Sequence, residues 1–193
     1  MKAAVFAFSR QGCRTARRVY SFLSAGECRA YAAPRLCESG FSPIMQPSSP
    51  FYAEQFRWAD ALVFVGACGI AVRAIASHVK DKRTDPAVVC IDEQGRFVIP
   101  LLSGHIGGAN RLAQELALKL SAQAVITTAT DLNGRFSVDT WAAQQGYLID
   151  SMEKEKAVSA AILERDIPLC SDLPLAELPP GVFAGEQGSL GIS

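Results

Sequence analysis

This sequence lacks most of the features that would label it quickly. Its 193 residues carry 19 basic and 19 acidic side chains, a formal charge of zero. A balanced chain has no electrostatic footprint for nucleic acid or an anionic membrane. No apolar run approaches the roughly 20 residues that span a bilayer. Arg10, Arg14, Arg17 and Arg18 interrupt the apolar start before it could serve as a signal peptide. Six cysteines form no Cys-x-x-Cys pair, and neither histidine stands at zinc-finger spacing, so no metal site is expected. Cys90, inside Val-Val-Cys-Ile, reads as a small hydrophobe, and the thiols read as reduced ones in a cytoplasmic protein. There is no Walker A loop, no G-x-G-x-x-G fingerprint, no G-x-S-x-G elbow and no internal repeat. A hydrophobic content of 49% is ordinary for a globular chain and leaves room for a true core.

What is present is an alternation of strand and helix patterns. Lys2–Phe8, Cys28–Ala32, Ala61–Val65, Ala87–Ile91, Phe97–Leu101 and Ala124–Thr128 read as strands, with Tyr147–Ile149 and Pro168–Cys170 as shorter candidates. Helical spacing covers Cys13–Ala25, ended by Gly26, then a short segment capped by Ser49-Pro50, a helix around Ile70–Ile75, Arg111–Leu120, a helix capped by Ser137, and Glu153–Glu164. Gly95, in the short turn between 87–91 and 97–101, marks an antiparallel hairpin. The pattern predicts an α/β fold: a mostly parallel open sheet, flavodoxin/Rossmann-like and three-layered, with one antiparallel hairpin near residues 87–101. The motif-bearing domain is expected over 1–135, a middle region over 136–180, and a linker-like tail over 181–193.

The polar clusters lie where strand patterns stop, which is where open α/β sheets place ligands. Ser103-Gly104-His105-Ile106-Gly107-Gly108-Ala109-Asn110 opens a helix. It suits a carboxylate or phosphate if Gly104, Gly107 and Gly108 expose backbone N–H groups, or simple tight packing if they do not. His105 is either a general acid–base group or a structural imidazole. In Lys80–Asp85, Pro86 forces Asp85 into an extended strand entry, where Asp85 and Lys82 either orient a water or belong to a solvated loop. Arg73, a cation on an apolar helix, either grips a carboxylate or snorkels. Thr127-Thr128-Ala129-Thr130-Asp131 either faces a ligand crevice or forms a polar turn.

Several unusual words occur together in order: Gly69–Ala76, Asp81-Lys82, Asp85–Val89, Asp92–Gly95, Leu101–Asn110 and Ile126–Asp131. On these words the chain resembles the N-terminal region of the CbiG family of cobalamin biosynthesis proteins, the cobalt-precorrin-5A hydrolases. The resemblance implies a role in anaerobic cobalamin synthesis: opening the δ-lactone of a cobalt-precorrin with water and expelling a two-carbon fragment as acetaldehyde. It implies no cofactor, because the cobalt belongs to the substrate. The expected partners are that cobalt-precorrin, together with the family's C-terminal domain or other cobalamin-pathway enzymes. Laid against that chemistry, His105, Asp85 and Lys82 are the expected catalytic residues. Arg73, Ser103, Gly104, Gly107, Gly108, Asn110, Arg111, Thr127, Thr128 and Asp131 are the expected substrate-binding ones. A non-catalytic corrinoid-binding module and a nucleotide- or phosphate-binding flavodoxin-like domain are the alternatives.

Overall fold

Three apolar runs, Lys2–Ala7 (β1), Ala61–Val65 (β4) and Ala87–Ile91 (β5), lie side by side and are buried from end to end apart from Lys2. Continuous apolar sequence is what parallel strands covered on both faces require. The computed structural model, which describes residues 1–170 and 178–185, adds four strands to this centre. They are Glu27–Ala32 (β2), Ser42–Pro43 (β3), Phe97–Leu102 (β6) and Gln123–Ala124 (β7). The order is β3-β2-β1-β4-β5-β6-β7, and every neighbouring pair is parallel except β5–β6. The expected mostly parallel α/β sheet with one antiparallel pair is therefore the fold. The chain divides into two units, Met1–Val125 and Ile126–Ser193, and this sheet belongs to the first.

Helices cover both faces. Ser48–Trp58 (α2) and Cys68–Ile75 (α3) bury Phe51, Tyr52, Phe56, Ala71 and Ile75 against Ala4, Phe6, Leu62, Phe64 and Val88. Arg10–Leu23 (α1) and Ala109–Leu120 (α4) pack together on the opposite face. Cβ atoms alternate across a strand, so Ala4 and Phe6 face one layer while Val5 and Ala7 face the other.

The element boundaries differ from the sequence reading in instructive places. α1 starts at Arg10, ahead of the helical spacing expected from Cys13: Ser9 is its N-cap and accepts from Gly12 N–H at 2.9 Å. Gly26 does not serve as the left-handed C-cap glycine; a Cβ there would stand 2.5 Å from the Met1 carbonyl oxygen, so close approach fixes it. α2 begins at Ser48 after Pro47, ahead of the expected Ser49-Pro50 cap. Of the run 124–128 only the first residues meet β6, Ala124 in the short β7 ladder and Val125 through its N–H to the Val98 carbonyl at 2.8 Å, and 147–149 is not a strand.

The reversal at β6 places the two ends of the sheet. The carboxyl ends of β1, β4 and β5 carry Phe8, Ser9, Gly66 and Asp92 on one edge. The residues entering β5, including Asp85, lie on the other edge. Because Leu102 pairs with Val88 near the start of β5, the chain leaves β6 at that second edge too. The Ser103–Asn110 turn therefore sits at the amino edge of the parallel strands, not at their carboxyl edge as expected.

In the second unit, Ala129–Leu132 (α5), Val138–Gln145 (α6) and Met152–Glu164 (α7) precede a parallel pair, Ile167–Leu169 (β8) with Val182–Ala184 (β9). Phe136, Val158, Ile162 and Ile167 form its core. β9 falls within the stretch whose composition reads as a linker. Residues 171–177 of the expected middle region and 186–193 of the expected tail lie outside the described part.

Candidate functional site

Asp85 and Ser103 are the hub of the amino-edge cluster. Asp85 is 6% exposed. Its carboxylate Oδ2 accepts from the backbone N–H groups of Lys80 at 2.8 Å and Asp81 at 3.0 Å. Its own carbonyl accepts from the Ser103 hydroxyl at 2.9 Å, in a buried position. Two loops that meet only because β5 and β6 pair are thus fastened at their base. Within the first loop, Arg83 grips Asp81 through Nε and Nη2, the latter at 2.6 Å, and holds the Asp81 carboxyl below the usual carboxylate range. Lys82 stands exposed on the same loop.

The glycine turn is tightly self-packed. Ser103 itself adopts a left-handed conformation at φ 56°. A Cβ at Gly107 would lie 2.3 Å from Ser103 Cβ, and one at Gly104 would lie 2.9 Å from the Asn110 side-chain oxygen. Both glycines are therefore accounted for by the chain's own atoms. Gly108, at φ 78°, is the N-cap of α4 and needs glycine for its backbone geometry. Three N–H groups at the head of this helix already have acceptors: Gly108 to His105 O, Ala109 to Ser103 O and Asn110 to Gly104 O. Gly104 and Gly107 have no backbone acceptor among the described residues. His105 is half-buried, Asn110 is buried, and Arg111 is exposed with its guanidinium facing Gly108.

Packing this close gives a direct expectation. Gly107→Ala forces Ser103 to move and will destabilise the chain by about 1–3 kcal/mol, the usual range for overpacking. Urea unfolding reads it; a cost below about 0.5 kcal/mol, the scale of an indifferent surface change, would mean that the turn is looser than described.

Within the first unit, Arg73 stands apart from this cluster. Arg73 projects from α3 into a groove of about 350 Å³ between α2 and α3, walled by Phe8, Ile44, Tyr52 and Ile70 at the carboxyl edge. The structure does not bring it to the Ser103 turn. Burial pushes the Tyr52 phenol up to about 12, so that wall is neutral near pH 7. Thr127, Thr128 and Asp131 belong to the second unit, where Thr128 caps the four-residue α5 and its hydroxyl donates to the Asp131 carboxylate. Sequence reading missed the groove. The spacing of Ile70, Arg73, Ala74 and Ser77 on one helical face was the available signal for one of its walls.

Sequence reading also passed over Ser9–Glu93. The Ser9 hydroxyl donates to Glu93 Oε2 at 2.6 Å while capping α1, and Thr15 donates to the Glu93 carbonyl. A carboxylate thus occupies the head of the first helix, where doubly wound sheets commonly receive phosphate.

Residues 50–131 match the family described as "Cobalamin synthesis G N-terminal". A cobalt-precorrin-5A hydrolase from Salmonella typhimurium is 45% identical over 141 residues, covering 73% of this chain and 39% of that protein. The chain belongs to the CbiG family. A second cobalt-precorrin-5A hydrolase, from Priestia megaterium, is 46% identical over 126 residues, covering 65% of this chain and 33% of its own length. The chain thus spans well under half the length of these relatives and is homologous to their N-terminal portion. The crystal structure of a cobalamin biosynthesis protein G homologue from Sulfolobus solfataricus aligns with a TM-score of 0.56 at 22% identity, over 98% of this chain and 58% of that one, which bears on the fold alone. Arg73, Lys82, Asp85, Ser103, His105, Asn110 and Arg111 all fall inside the CbiG-matching segment.

Proposed function

We propose that this chain acts in anaerobic cobalamin biosynthesis as the N-terminal part of a cobalt-precorrin-5A hydrolase, opening the substrate's δ-lactone and releasing acetaldehyde. The observation that carries the reading is the fastening of Asp85 to Ser103 inside the CbiG-matching segment, which sets the loop bearing Lys82 beside the turn bearing His105 and the first turn of α4 bearing Arg111.

Lactone opening needs a water that loses a proton, a place for charge on the carbonyl oxygen, and a proton for the departing oxygen. His105 is the group on these loops suited to carry that proton. Lys82 and Arg111, with the N–H groups of Gly104 and Gly107, supply positive charge and donors for the oxyanion and the new carboxylate. Water oxygen bonds to the carbonyl carbon, the ring C–O bond breaks, and the freed alcohol oxygen takes a proton. His105, neutral again after giving up its proton, takes the hydroxyl proton back as the alcohol becomes an aldehyde and the adjoining C–C bond breaks, its electron pair staying on the macrocycle. Asp85 has a positioning role, since one of its carboxylate oxygens already serves two backbone donors. The cobalt travels with the substrate, and no protein-held cofactor enters these steps.

Purified chain mixed with cobalt-precorrin-5A is the test, with acetaldehyde trapped enzymatically and corrinoid binding followed by absorbance. His105→Ala is expected to cut acetaldehyde release by about 100-fold or more, the usual worth of a general acid–base group, with binding retained. Release at a near-normal rate rejects the assignment. A second reading, corrinoid binding without turnover, is favoured by the three α4 N–H groups already spent on loop carbonyls. Its signature is an absorbance shift with no acetaldehyde from the unaltered chain.

A further inference from the structure

The α2–α3 groove has a composition that the Asp85–Ser103 loops do not share. Its walls are largely apolar, and among the described residues Arg73 is the only charged side chain that lines it. Gln46, Ser48, Ser49 and Ser77 add neutral hydrogen-bonding groups. Arg73 is exposed and makes one hydrogen bond, from Nη1 to the Gly69 carbonyl at 3.1 Å, lying back along α3 over a residue without a Cβ. No acidic side chain pairs with it among the described residues. The groove also opens at the carboxyl edge, beside the chain leaving β1 and β2, on the face opposite α1 and α4. Ligands of open α/β sheets gather along that edge.

We propose that this groove binds an apolar-bodied carboxylate, with the carboxylate on Arg73 and the body against Phe8, Tyr52 and Ile70. A guanidinium offers a carboxylate paired donors, and hydrogen bonds to a charged group are about twice as strong as neutral ones. At about 350 Å³ the groove is near the small end of ligand pockets, roughly 300–1,000 Å³. It fits a small acid or one carboxylated arm of a larger ring, not a whole macrocycle. The shared chemistry has two sources, a free acid or an arm of a corrinoid; the second rests on the cobalamin reading above and the first does not.

Heteronuclear NMR on the full chain tests this with 3-phenylpropionate and its uncharged amide as probes. The acid is expected to bind at least about tenfold more tightly than the amide, a difference of about 1.4 kcal/mol. Shifts should centre on Phe8, Ile70 and Ala74. Arg73→Gln should erase the acid–amide difference while Arg73→Lys keeps part of it, and both variants should melt with the parent because Arg73 is exposed. Equal binding of acid and amide, a preference that survives Arg73→Gln, or shifts confined to residues 103–110 would overturn the proposal. With the acid bound, adding cobyrinic acid separates the sources: displacement assigns a corrinoid arm and its absence assigns a free acid. Loss of this preference leaves the His105 assay untouched, and failure of that assay leaves this result standing.

Discussion

Asp85→Ala is expected to destabilise the chain by about 3 kcal/mol. The substitution strips the acceptor from two backbone N–H groups, those of Lys80 and Asp81, and each orphaned donor costs about 1–3 kcal/mol when water does not fully replace the partner. Partial exposure of that loop favours the lower half of the range for each. Asp85→Asn keeps an acceptor oxygen in place and is expected to cost about 1 kcal/mol, the net worth of one ordinary hydrogen bond. Urea unfolding followed by far-UV circular dichroism measures both, and the slopes should stay constant if only stability changes. An Asp85→Ala cost below about 1 kcal/mol would mean that water satisfies the loop and the fastening is ornamental. The pair of variants also separates two roles. A positioning residue leaves Asp85→Asn within about tenfold of the parent in acetaldehyde release, whereas a proton carrier loses about 100-fold or more.

Phe6→Ala is expected to cost about 3–5 kcal/mol, the range for deleting a buried aromatic side chain. Phe6 is fully buried. Its ring lies 4.7 Å from Phe64 and 5.6 Å from Tyr31 in stacked arrangements, and it meets Tyr52 and Phe51 edge-on at 5.5 and 6.3 Å. Four aromatic neighbours from β2, α2 and β4 therefore border the resulting cavity. Rings are stiff and close a void poorly, which places this site toward the upper end. Phe6→Leu retains much of the volume and should cost about 1–2 kcal/mol, between an isosteric swap and a full truncation. If the two variants unfold at the same urea concentration, this cluster has collapsed around the alanine and the packing argument is wrong.

The centre of the fold was legible because burial there demands continuous apolar sequence. Ala61–Val65 and Ala87–Ile91 occupy the spans that their composition predicted. The hairpin was legible from the Gly95 turn, but its geometric consequence was not. Reversing β6 moves Ser103 to the opposite edge of the sheet, and no local pattern records which edge a turn will reach. The start of α1 was obscured for another reason: Ser9 is held by Glu93, 84 residues away, and that pairing exists only once β1, β4 and β5 are assembled. The glycines at 104 and 107 suited either a ligand loop or tight packing. The space beside them holds Asn110 and Ser103, a tertiary packing that their sequence context does not distinguish from a binding loop. Arg73 was legible as an isolated cation, whereas the groove around it depends on residues 8, 44 and 52, contributed from three other parts of the chain.

The reversal of β6 also sets the electrostatics of the α1–α4 layer. With all strands parallel, helices returning along one face would point the same way and set like dipole ends side by side. Here β6 and β7 run against β1, so α4 lies antiparallel to α1 and each helix offers its positive end to the other's negative end. Arg18 of α1 completes the arrangement by donating to the Leu120 carbonyl, the last residue of α4, at 3.0 Å. A strand turned around for the sake of one edge thereby makes its covering helices mutually attractive.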